Sequence, residues 1–288
     1  MLREAMNVAG PQELSRAVPT TRVAGVPRLH LRDVPLLEIY AALALLFLFL
    51  PVLMLVVLSF NSTVTGIFPL KGFTLKWYDQ ALHNRIIWPA LQNSLIVAIS
   101  TAVVSAFLGT PAAFILTRRS FRFKSLLRGL LVLPMSLPTL LIGISLLSFF
   151  AALSVTRSLL TVTIGHVVYC VPYMLLVVSA RLAEFDFAIE EAARDLGATP
   201  FQAFRKITFP LIRPTIIGGM LLIFAQSFDM FVITFFNIGA QSTLPMVIWS
   251  MVRLGINPSL NALGAMVMGF SILVLVVASR LGGVKLAA

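Results

Sequence analysis

Two groups of polar residues could do chemistry in this chain, and neither resembles a catalytic set. In the first, Glu190, Glu191, Arg194 and Asp195 surround Ala192 and Ala193, with Gly197 and Ala198 following. Small side chains beside charges suit close approach of another backbone, with the charges fixing its register. The second is Asp229, a carboxylate inside a long apolar stretch, with Gln226 three residues before it and Asn237 eight after. An intramembrane acid is costly unless it faces a partner or water, so it is a functional candidate by default. Covalent and metal chemistry lack support. His30, His83 and His166 are far apart and without an acid cluster, Cys170 stands alone, and no G-x-x-x-x-G-K-[ST] phosphate loop occurs. No catalytic residue, metal or cofactor is expected in this chain.

The elements that must position these groups are membrane helices. The chain is 59% hydrophobic and only 11% charged, with a mean hydropathy of +0.97, which excludes a soluble domain of 288 residues. A helix needs roughly 20 mainly apolar residues to cross the hydrocarbon core. Six windows qualify, at 36–60, 94–117, 126–153, 159–180, 211–236 and 260–279. Long apolar runs favour helices over a barrel. The run 244–254 is too short to cross and reads as a re-entrant or interfacial segment. The expected fold is all-α and polytopic, with a tail over 1–35, a six-helix domain over 36–281 and a short tail over 282–288. The N-terminal tail has no apolar h-region, so no cleaved signal peptide is expected.

Charge sets the orientation. With both termini cytoplasmic, 17 of the 22 basic residues fall on the inside, and only Lys71, Lys76, Arg85, Arg157 and Arg253 remain outside. The net charge of +11 is then accounted for by topology signals beside anionic lipid, without nucleic acid. In the second window Ala98, Ala102 and Ala106 recur every four residues, with Thr101, Ser105 and Gly109 on the adjacent row. Such rows let helices approach closely. Pro134, Pro138 and Pro172 are expected to kink their helices.

The polar segment at about 182–210 has its own local design. Asp186 is a candidate N-cap, Gly197 suits a left-handed C-terminal cap, and Thr199, Pro200 and Gln202 form a second start signal. The result is a helix, a glycine turn and a second helix, with Phe201 and Phe204 expected on one face. For the fifth window, about 100° per residue puts Gln226, Asp229 and Asn237 on a shared face. Tyr169 and Tyr173 are further candidates for lining a pathway, since aromatic rings accept cations and alkyl chains.

The pattern Glu191-Ala192-Ala193, Gly197, Ile207 and Pro210 resembles the cytoplasmic EAA loop of ABC-importer permeases, with Phe209-Pro210 where Leu-Pro is usual. Ser59-Phe60-Asn61, Gly72-Phe73-Thr74, Lys76-Trp77-Tyr78, Ser250 to Arg253, Asn257-Pro258 and Asn261-Ala262-Leu263 are similar to the second (PotC-type) permease of spermidine/putrescine importers. Members of that branch often have Asp-Asp where this chain has Asp229-Met230. The resemblance implies a type I importer permease of MetI-like architecture in the bacterial inner membrane, with polyamine cargo. It also implies partners: ATPase subunits, in a dimer, that bind ATP and Mg; a second, related permease chain; an extracytoplasmic binding protein; and membrane lipid. Other cargo (an amino-acid derivative, opine, iron or thiamine-like solute) is the alternative. A secondary transporter would leave the EAA loop unexplained.

Overall fold

A computed structural model describes residues 35–63, 70–255 and 258–281. The tail expected over 1–35 lies outside the described residues except for Pro35, and so does the tail at 282–288. The chain divides into two units, residues 1–52 and 53–288. In the first, the described residues form the opening of helix α1 (Pro35–Leu58), with Glu38 in its first turn, where a carboxylate favours the helix dipole.

The second unit contains α2 (Lys76–Leu82), α3 (Ile87–Arg118), α4 (Lys124–Ser136), α5 (Thr139–Ala152), α6 (Leu159–Ala183), α7 (Ala188–Asp195), α8 (Pro200–Ala203), α9 (Phe209–Phe228), α10 (Val232–Asn237), α11 (Leu244–Leu254) and α12 (Pro258–Leu281). Among the described residues there is no strand, only an isolated antiparallel bridge between Asn61 and Phe73. That bridge belongs to a knot formed by the motifs flanking α2. The indole of Trp77 donates to the Asn61 carbonyl at 2.7 Å, the Ser59 hydroxyl meets Tyr78 Oη at 2.6 Å, and Phe60 stacks on Phe73.

The core sits where α3, α6 and α9 meet. Its centre is the fully buried Met174 of α6, wedged between glycines of the two neighbouring helices. A Cβ at Gly109 of α3 would fall 2.7 Å from Met174 Cβ, and one at Gly219 of α9 would fall 2.9 Å from its Sδ. The row of small residues in α3 therefore does what its spacing suggested: Ala98, Thr101, Ala102, Ser105 and Gly109 are all buried. Cys170, Val178, Ile212, Ile223 and Ile233 also belong to this core.

Two of the expected spans take a different course. The window 126–153, expected to kink at Pro134 and Pro138, is broken outright. It is two helices, α4 and α5, bent by 102°. Leu137 is extended (φ −88°, ψ 144°) because the ring of Pro138 disfavours helical geometry in the preceding residue. By length and composition, four helices can cross a membrane among the described residues, or five if the bent pair counts as one, and α12 (Pro258–Leu281) covers the sixth window. The fifth window is also broken, because α9 ends at Phe228 and α10 starts at Val232. At its other end the span is longer than expected. Helix α8 runs through a wide turn, Phe204–Thr208, directly into α9, giving 29 continuous helical residues, Pro200–Phe228. In that turn the Phe209 N–H donates to the Phe204 carbonyl, five residues back. A helical Pro210 would press on the carbonyl of Lys206, and the wider turn gives that carbonyl room.

Candidate coupling loop and intramembrane acid

Helix α7 is set by its ends. Asp186 Oδ1 accepts from the Ala188 N–H at 3.0 Å, but Asp186 lies two residues before the first helical residue, and Phe187 holds the N-cap position expected for it. At the other end Gly197 takes φ +91°. Its N–H donates to the Arg194 carbonyl at 2.9 Å, and the Ala198 N–H donates to the Ala193 carbonyl at 3.0 Å. These are the two bonds of a Schellman cap. Helix α8 then starts with the expected reciprocal pair: Thr199 Oγ1 accepts from the Gln202 N–H at 3.3 Å, and Gln202 Oε1 accepts from the Thr199 N–H at 2.9 Å. Pro200 occupies the first turn, where its missing N–H costs nothing.

Glu190 turns inward instead of toward a partner. Arg118, the last residue of α3, donates to its two carboxylate oxygens at 2.6 and 2.9 Å, and the Thr208 hydroxyl donates to it as well. The Arg118 guanidinium also lies 5.0 Å from the Phe114 ring centre and 4.6 Å from that of Phe187. Two-pronged pairing and ring stacking are both available to a planar guanidinium. One carboxylate thus ties together the end of α3, the start of α7 and the wide turn that leads into α9. By sequence alone Arg118 is one basic residue among those that set the topology. Its partner lies 72 residues away, and no local spacing reveals it.

With Glu190 engaged inside, Glu191, Arg194 and Asp195 are the charges left facing outward. Together with Ala198 and Pro200 they line an open depression. Leu196 (91% exposed) and Phe201 (68% exposed) project beside them. Ala192 is exposed and Ala193 half-buried. Phe201 and Phe204 do not share a face as expected. Phe204 packs edge-on against Phe114 at 5.5 Å, inside the same joint as Arg118. Pro210 is exposed in the first turn of α9.

At the far end of α9, Gln226 and Asp229 are exposed, and neither side chain has a hydrogen-bond or ion-pair partner among the described residues. Asp229 ends the helix, and its N–H donates to the Ala225 carbonyl. The shared face expected for Asn237 does not form, because the helical phase is lost at the break. Asn237 is instead fully buried, with Nδ2 donating to the backbone carbonyls of Gly143 in α5 at 3.1 Å and Ile233 at 2.9 Å, while the Asn237 backbone carbonyl accepts from the Thr161 hydroxyl. It pins α10 to its neighbours. Tyr169 and Tyr173 pair with one another, ring centres 5.7 Å apart and hydroxyls 3.2 Å apart, half-buried against the core. His166, dismissed as a metal ligand, is buried and bonded on both ring nitrogens to Ser227 and Thr234.

Residues 105–283 match the family described as binding-protein-dependent transport system inner membrane component. The chain is 41% identical over 231 residues to the putrescine transport system permease protein PotI of Escherichia coli K12, covering 77% of this chain and 82% of that protein. It is 37% identical over 236 residues to the spermidine/putrescine transport system permease protein PotC of the same organism, covering 82% and 89%. The Haemophilus influenzae PotC is 34% identical over 255 residues, covering 88% and 96%. Among solved structures, a chain of a bacterial ABC transporter that imports the acidic polysaccharide alginate aligns with a TM-score of 0.64 at 16% identity, over 89% of this chain and 98% of that one. A chain of the MetNI methionine ABC transporter in an inward-facing conformation aligns at 0.53 and 19% identity, over 67% and 94%. At such identities the structural likeness speaks for the fold alone.

Proposed function

The chain belongs to the family of binding-protein-dependent transport system inner membrane components, and from that premise we propose that the solute it conducts is a polyamine of the putrescine or spermidine class. It is a multi-pass, non-catalytic permease subunit of an ATP-driven importer in the inner membrane, and ATP hydrolysis belongs to a separate polypeptide. The observation that carries the cargo reading is Asp229, exposed and without a side-chain partner among the described residues, at the break in the fifth span beside Gln226, in a chain whose relatives are named for putrescine and spermidine transport. A carboxylate held at a helix break can replace part of the hydration of an ammonium group without enclosing it. Met230 is mostly buried, so this chain offers one acid there, and a second permease supplies the remaining groups.

The loop from Asp186 to Pro210 is the coupling element in this reading. The outward charges Glu191, Arg194 and Asp195, with Leu196 and Phe201, receive an ATPase subunit that holds ATP and Mg. The joint around Arg118 and Glu190 passes its movement to α3 and α9. Nucleotide on the ATPase dimer and a solute-loaded extracytoplasmic binding protein both favour the outward-open state, which is how two distant sites become coupled. The positive-inside distribution supports placing this loop and both termini in the cytoplasm.

The test is uptake in proteoliposomes that contain this chain, its partner permease, its ATPase and its binding protein. Labelled putrescine or spermidine should accumulate only with internal ATP, and unlabelled polyamines should compete while neutral amino acids and sugars do not. Uptake of an uncharged solute that polyamines fail to inhibit would refute the cargo reading and leave the permease reading standing.

A further inference from the structure

The break in the fifth span is bridged by one side chain from another helix. His166 of α6 is 1% exposed. Its Nδ1 lies 2.8 Å from the Ser227 hydroxyl, in the last turn of α9, and its Nε2 lies 2.9 Å from the Thr234 hydroxyl, in the first turn of α10. The direction of each bond follows from proton counting. Thr234 has one hydroxyl proton, and it goes to the Met230 carbonyl at 2.7 Å. The Thr234 oxygen must therefore accept, so Nε2 carries the ring proton. Nδ1 is then a lone pair that accepts from Ser227. A single directed chain results: Ser227 hydroxyl to His166, His166 to Thr234, Thr234 to the backbone carbonyl of Met230. It crosses the break and ends on the residue next to Asp229.

The two halves of the span both pack on α6, but each has a further attachment of its own. Helix α9 is continuous with the coupling loop through the wide turn at Phe204–Thr208. Helix α10 is pinned to α5 and α6 by Asn237 and Thr161. Movement arriving along α9 therefore reaches, at Asp229, an α10 that is also tied to α5, and the imidazole of α6 is the side chain that hydrogen-bonds to both halves. We infer that His166 is a positioning residue that holds α9 and α10 at one angle through the transport cycle and thereby keeps Gln226 and Asp229 aimed into the solute route. The last clause rests on the pathway reading of Asp229; the fixed angle does not.

The experiment uses the assembled transporter with Cys170→Ala, Leu222→Cys and Phe235→Cys, spin-labelled on the exposed positions either side of the break. The label distance should be narrow, and the same without nucleotide and with ATP trapped. In H166Q, which retains a donor toward Thr234 but no acceptor for Ser227, the distribution should broaden as it does in S227A. H166N, with an acceptor near the Nδ1 position, should behave like T234V. Solute moved per ATP hydrolysed should fall about ten-fold in H166Q, the factor that loss of a buried hydrogen bond supplies. S227A should add little to H166Q.

A distance that shifts between nucleotide states in the unmutated transporter would overturn the inference, as would unbroadened distances in all four variants. Loss of assembled complex with unchanged solute moved per ATP would reduce His166 to a structural residue and equally overturn it. If H166Q fails to assemble, S227A and T234V decide the matter. The label distance reads the clamp whatever the cargo, whereas failure of the cargo reading shows as absent polyamine uptake in the unmutated transporter.

Discussion

Arg118 and Glu190 are joined by a two-pronged ion pair at 2.6 and 2.9 Å, with side chains 28% and 14% exposed, at the point where α3, α7 and the wide turn before α9 meet. A pair this sheltered is worth more than a surface ion pair, and its loss leaves the abandoned charge in a poorly solvated joint.

Glu190→Gln should therefore loosen the loop without unfolding the permease. The cost expected is about 1–3 kcal/mol, between surface and fully buried pairs. Arg118→Lys should fall in the same range, because an ammonium gives up the two-pronged geometry and the stacking on Phe114 and Phe187. Limited proteolysis of the loop reads this directly: faster cleavage between α6 and α9 in both variants is the expected result, and an unchanged rate would remove the pair from the joint.

Gly197 sits at φ +91° with nothing within 4 Å of where a Cβ would stand, so substitution there is limited by backbone conformation and not by space. Gly197→Val should cost roughly 1–2 kcal/mol or more, because β-branched residues disfavour positive φ. Gly197→Asn should be milder, since asparagine tolerates that region. ATPase stimulation by the loaded binding protein should follow the order glycine, asparagine, valine. Equal stimulation in the three proteins would contradict a coupling role for this turn.

Gly109 poses the opposite problem, since its helical backbone suits any residue and the space does not. A Cβ there meets Met174 at 2.7 Å and the Val171 carbonyl at 3.1 Å. Gly109→Val should force α3 from α6 and cost about 1–3 kcal/mol, as overpacking does. Thermal unfolding of the purified complex should show a lower midpoint, while the milder Gly218→Ala, with open space at its Cβ position, should leave the midpoint within error.

How far the residues announce this arrangement depends on the range of the interaction. Helix ends set by neighbours in sequence were readable: the Thr199–Gln202 pair and the Gly197 turn formed as their types required, and the small residues of α3 met another helix. Hydropathy located the apolar segments but not their continuity. Pro138 does not merely kink its span but turns it by 102°, and the fifth span breaks after Phe228 with no proline or glycine there to mark it. Asn237 leaves the face of Gln226 and Asp229 for that reason. Arg118–Glu190 and His166 with its two hydroxyls depend on tertiary packing across 61 to 72 residues of chain, and spacing carries no trace of such pairings.

The claim at the centre of this account is that Asp229 lies on the route of a cationic solute. It is tested most directly by ATP-dependent putrescine uptake of Asp229→Asn, measured beside the yield of assembled complex in the same proteoliposome preparation. Asparagine keeps the shape and removes the charge, and since the Asp229 side chain has no partner among the described residues, assembly should stay at the unmutated level. Uptake per complex should fall about ten-fold or more, the factor corresponding to one lost charge-assisted hydrogen bond of roughly 1.5–3 kcal/mol. Normal putrescine uptake by a fully assembled Asp229→Asn complex would contradict the claim.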